Sequence, residues 1–156
     1  MSANDFVIKM VAGADGIPQF HLSLDPVDST PEAVLETAII ISLFTDRLAD
    51  EDDVIPDGTN DRRGYWGDGL SLINADKIGS RLWLLSREKQ LTNVLRRAEE
   101  YADEALSWLL DDGVAKAVMV TATNPRDGWL NLDIDIVNPD STTLRFSYIW
   151  RALNGV

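Results

Sequence analysis

The sequence predicts an α+β fold: an N-terminal β-hairpin, a helical middle and a C-terminal three-stranded antiparallel meander packed on helices. Three observations carry that expectation. Near the C-terminus, three runs rich in β-branched and aromatic residues are separated by "NPRDG" and "NPDS", and both connectors are strong turn formers. Upstream, residues 91–110 repeat apolar positions with a helical beat. At the N-terminus, two short apolar runs flank the turn-forming "GADGIP".

Taken in order, "FVIKM" (6–10) and "QFHLSL" (19–24) are the hairpin strands, with Gly13, Gly16 and Pro18 supplying turn chemistry. A helix is expected over 31–45. Ser29 or Thr30 can cap it, Pro31 suits its first turn, and Glu32 complements its positive end. Ala33, Val34, Leu35, Ala38, Ile39, Ile40, Ile41, Leu43 and Phe44 cover nearly its whole circumference. Such a helix should be buried all round, as a central helix or at a subunit interface.

Residues 46–74 show no period. They are acidic first and Gly-rich afterwards, and a loop this long inside a domain is often functional. Residues 77–90 start with a turn at Gly79 and continue as a short helix. A longer helix follows over 91–110, with Leu91, Val94, Leu95, Ala98, Ala102, Ala105, Leu106 and Leu109 on its apolar face. Arg96 and Glu100 form an i,i+4 pair on its surface, and Gly113 closes it. The strands are expected over 115–123, 129–137 and 142–150. Leu130, Leu132, Ile134 and Ile136 alternate with Asn131, Asp133 and Asp135; Leu144, Phe146, Tyr148 and Trp150 alternate with Arg145 and Ser147. One sheet face is buried and the other solvated.

The 156 residues suit a single domain spanning 1–156. There is no cysteine and one histidine, His21, so thiolate metal sites and histidine-based triads lack material. The net charge of −12 repels phosphate backbones, which argues against a nucleic-acid partner. The N-terminus lacks the basic and apolar regions of a signal peptide. The longest apolar run, "AIIISLF", is too short to cross a bilayer. The expectation is a soluble protein made in the cytoplasm, with no membrane partner.

Asp133 and Asp135 share a strand face and could chelate a hard cation. A solvated face with Arg145 pairing across is the stronger expectation. The run "DRLADEDDVIPDG" lacks calcium-loop spacing and is expected to be an exposed acidic loop. Glu36, set in the apolar helix, is the best candidate for a general acid in a carboxylate-dependent peptidoglycan hydrolase. Pairing with an arginine is the commoner fate of such a group. His21 is expected at the surface. Trp83, Trp108 and Trp150 are expected in the core, whereas Trp129 lies off its strand's apolar phase and Trp66 lies in a Gly-rich loop beside Arg62 and Arg63. Aromatics and arginines are enriched at protein–protein hot spots. No cofactor and no metal site is expected. An acidic adaptor that mimics nucleic acid is a further alternative.

The stretch from "ISLFTDR" through an acidic loop to "DRRGYWGD" and "GSRLWLLSREK" resembles the Mu-like phage tail protein family, number forty-six of the Mu set. The resemblance covers residues 37–110. It rests on Asp61, Arg62, Arg63, Gly64, Trp66, Gly67 and Asp68, and on Gly79, Ser80, Arg81, Leu82 and Trp83. Tyr65 stands where an aromatic, often tryptophan, is usual. "GSRLW" is also similar to the sheath-initiator, lysozyme-like wedge proteins of contractile tails, which are small α+β domains. The resemblance implies a structural, non-enzymatic component of a contractile-tail baseplate, joining wedge proteins to the start of the tail tube and sheath in six copies. Its place would be the virion tail, and the host cytoplasm during assembly. Asp61, Arg62, Arg63, Tyr65, Trp66, Asp68, Arg81 and Trp83 would then bind partner proteins.

Overall fold

The computed structural model describes residues 6–25, 30–70, 77–87 and 91–152, without the side chains of Arg87 and Leu91. Ser29, the loop end at 71–74 and the helix end at 88–90 lie outside the described residues. The chain falls into two compact units, Met1–Ile41 and Ser42–Val156.

In the first unit, β1 (Val7–Ala12) and β2 (Pro18–Ser23) form the expected antiparallel hairpin. Asp15 Oδ1 accepts from the Ile17 N–H, and Gly16 turns the chain at φ +74°, a conformation glycine adopts without steric cost. His21 is exposed, as expected. α1 (Pro31–Phe44) begins where Thr30 Oγ1 accepts from the Ala33 N–H at 3.2 Å, so Thr30 is a cap. Buried Thr37 ties this helix to the hairpin: its hydroxyl donates to the Ala33 carbonyl at 2.8 Å and accepts from the Ile8 N–H at 2.9 Å.

Within one copy of the chain, burial all round α1 does not hold, which removes the central-helix alternative and does not bear on a subunit interface. Ala33, Thr37, Ile39 and Ile40 are buried, whereas Val34, Leu35, Ala38 and Ile41 are half-buried. A chain of this length has few layers with which to wrap a helix completely.

In the second unit, β3 (Ala117–Thr123), β4 (Leu130–Val137) and β5 (Thr143–Trp150) form an antiparallel sheet in the order β3-β4-β5. Leu130, Leu132, Ile134 and Ile136 are at most 1% exposed, so the strand alternation does choose the core face. Phe44 meets Tyr148 and Trp150 edge-on at 5.8 and 5.0 Å. On the solvated face Asp135 lies opposite Arg145 and accepts two bonds from its guanidinium. Asp133 accepts from Ser147 Oγ at 2.6 Å. Both carboxylates are therefore occupied within the sheet.

α2 (Leu91–Leu106) packs on β3, burying Val94, Ala98, Tyr101, Ala102, Ala105 and Leu106. Glu99 reaches across to accept from the Ala122 N–H at 2.9 Å. Arg96 and Glu100 form the expected surface pair. The helix stops earlier than its periodicity predicts and resumes as α3 (Trp108–Asp111). The Ser107 N–H reaches back three residues to the Glu104 carbonyl at 3.4 Å, which tightens the turn and breaks the α-helical ladder.

Candidate partner-binding loop

The long irregular segment from residue 46 to residue 70 is fastened at its start by Gly79 and Ser80. The Ser80 N–H donates to the Thr45 carbonyl at 2.9 Å, and the Arg47 N–H donates to the Ser80 carbonyl at 3.0 Å. Ser80 Oγ, 2% exposed, donates to the Leu43 carbonyl. Gly79 has φ +101°, and a Cβ there would sit 2.4 Å from the Thr45 carbonyl oxygen. Only glycine permits that approach.

Arg81 then gathers the acidic strand of the loop. Its Nη1 donates to Asp50 Oδ2 at 2.7 Å and Asp53 Oδ2 at 3.0 Å, and its Nε donates to Glu104 Oε2 at 3.1 Å. Its guanidinium lies 4.7 Å from the Tyr101 ring centroid. Burial works to lower the Arg81 pKa, but the Asp53 hydrogen bond and the charges of Glu104, Asp53 and Asp50 together raise it. Arg47 adds a second cation to Glu104 at 3.4 Å. The acidic run is thus only partly a solvated loop: Asp46, Asp50 and Asp53 are neutralised from within the chain.

The "DRRGYWGD" stretch closes over this clamp. Asp61, exposed, accepts from the Arg63 N–H at 2.9 Å and so supports the φ of +53° at Arg63. Half-buried Arg62 pairs with Ala49 through backbone (3.0 Å) and through Nε to its carbonyl (3.4 Å). Arg63 binds Asp46 at 2.7 Å and lies 4.4 Å from the Trp83 ring centroid. Half-buried Trp83 donates its Nε1–H to the Arg47 carbonyl at 2.9 Å. Gly64 turns at φ +111° against Leu48.

The chain then enters a 3₁₀ helix, Trp66–Leu70. Asp68 accepts from the Ile78 N–H at 3.1 Å. Tyr65 is half-buried, and its ring is tilted against Trp66 at 5.4 Å. Trp66 itself is 77% exposed and Leu70 73%. The structure therefore brings Arg63, Arg81 and Trp83 into one clamp and leaves Trp66 facing solvent. Sequence reasoning missed the clamp's other half: Arg47, Tyr101 and Glu104. Its legible signal was the match between an acidic run and nearby arginines.

Glu36 lies on α1, in the first unit. Burial raises its pKa, Lys9 opposes the shift, and Glu32 one turn away adds to it. Its neighbouring cation is thus a lysine rather than the expected arginine. Among the described residues no group of His, Asp and Glu is arranged to hold a metal ion, and no helix is long and apolar enough to cross a membrane.

The model of the phage protein GP46 family matches residues 35–143. The chain belongs to that family. It is 44% identical over 135 residues to the baseplate protein gp46 of Escherichia phage Mu, covering 86% of this chain and 90% of that protein. It is 47% identical over 109 residues to the Mu-like prophage FluMu protein gp46 of Haemophilus influenzae, covering 70% and 72%. The region matched by the GP46 model includes the whole clamp and the exposed tryptophan.

Proposed function

We propose that this GP46 family member is a structural component of a contractile phage or prophage tail baseplate, located in the virion tail and assembled in the host cytoplasm. The observation that carries this reading is the likeness, over 90% of its length, to a protein named for the baseplate. The chain acts as one domain over residues 1–156, with no enzymatic step. Half-buried Glu36 has Lys9 and, one turn away, Glu32 beside it, whereas glycoside hydrolysis needs its second carboxyl across a cleft rather than on the same helix, which supports that assignment.

The finer role is to join wedge proteins to the start of the tail tube and sheath, in six copies. Asp61, Arg62, Arg63, Tyr65, Trp66, Asp68, Arg81 and Trp83 are the partner-binding set. Trp66 offers the contact area, since a large exposed aromatic on a fixed loop is suited to be an interface anchor. The others hold that loop in shape. Complementation tests the assignment. In cells lacking the chain, Trp66→Ala should yield a folded, soluble protein and no complete tails. Normal tails from that variant would remove Trp66 from the partner-binding set.

A further inference from the structure

The hairpin has two faces, because successive side chains of a strand point to opposite sides. One face carries Val7, which is fully buried, and also Lys9, His21 and Ser23. On the other face Ile8 lies opposite Leu22, and Met10 lies opposite Phe20. Phe6 and Leu24 continue the two rows by the same alternation. None of these six residues is polar. Ile8 and Met10 are half-buried, whereas Phe6, Phe20, Leu22 and Leu24 are 49%, 51%, 58% and 71% exposed.

This face presents roughly 500 Å² of apolar surface, in the upper part of the range for the largest patch on a monomer. Two such faces brought together remove about 1,000 Å² from water, the least that a specific interface needs. A two-stranded hairpin is marginal alone, and two of them stacked make a four-stranded, two-layer core. Charge favours the same pairing. The chain carries −12, so contact between copies through charged surface sets like charges together. The hairpin face carries no charge of its own.

We propose that the free chain forms a dimer in which the hairpin faces of two copies stack about a twofold axis. The proposal goes beyond the baseplate reading and concerns the chain before assembly. Copies arranged around a sixfold axis meet through unlike surfaces, so the stacking of like faces belongs to the free chain. The contact is small and the overall charge opposes it. The dimer should therefore dissociate on dilution, and it should tighten as salt screens the repulsion.

Sedimentation equilibrium of the purified full chain tests this. A reversible monomer–dimer equilibrium is expected, with a dissociation constant that falls as salt rises from about 0.05 to 0.5 M. Leu22→Asp should raise that constant about tenfold or more, because it buries an unpaired charge. His21→Asp makes the same change of charge on the opposite face, where solvent screens it, and should shift the constant by no more than about twofold. If Leu22→Asp loses its far-UV signal, cysteine variants decide, since the chain has no cysteine of its own. A bis-maleimide spanning about 10 Å, the separation of stacked sheets, should join two copies of Leu22→Cys and leave His21→Cys single. A monomer at every concentration and salt would overturn the proposal. So would a dimer that folded Leu22→Asp leaves intact, one that weakens as salt rises, or one that His21→Cys links as readily as Leu22→Cys. These outcomes leave the baseplate reading to its own test in tails.

Discussion

Removing the Arg81 guanidinium leaves Asp50, Asp53 and Glu104 without their shared cation. Asp53 is the most buried of these, and a buried carboxylate that loses its partner is costly. Arg81→Ala should therefore lower stability by about 3 kcal/mol, read from urea unfolding. A loss below about 1 kcal/mol would mean that the cluster behaves as an ordinary surface ion pair. Gly79→Ala should be at least as damaging, on the order of 2–4 kcal/mol, because it adds positive-φ strain to a clash with the Thr45 carbonyl. Trp66→Ala should change stability by no more than about 0.5 kcal/mol, since its ring is largely in solvent. That contrast separates residues that shape the loop from the residue that the loop displays.

On the scale of elements, the strands were legible because the strand period of two makes one face apolar and one polar. Asp133, Asp135 and Arg145 fell on the solvated face where the alternation put them. The extent of α2 was misjudged by its apolar beat, because the tightened turn at Ser107 interrupts the ladder without disturbing the pattern: Leu109 remains buried. The clamp was hardly legible at all. Its bonds join Arg81 to residues 28 and 31 positions earlier and 23 later, and no local period encodes such distances.

Helix α1 carries its own pH signature. Burial raises the Glu36 pKa above its ordinary 4.5, so the folded chain holds that proton more tightly than the unfolded one. The stability tied to this proton is fully present below about 4.5 and is lost as pH rises through the raised folded value. Glu36→Gln should therefore raise the melting temperature slightly at pH 7, and the gain should vanish as pH falls below 4.5. A gain independent of pH, or a loss at pH 7, would contradict it.

For the whole molecule, the central claim concerns assembly rather than folding. It is tested most directly by tagging the full chain in cells that produce the particle and sedimenting the tails. The account predicts that the chain travels with intact tails at about six copies each, a small fixed number consistent with closed rotational symmetry. Tails that form normally while the chain stays in the soluble fraction would contradict it.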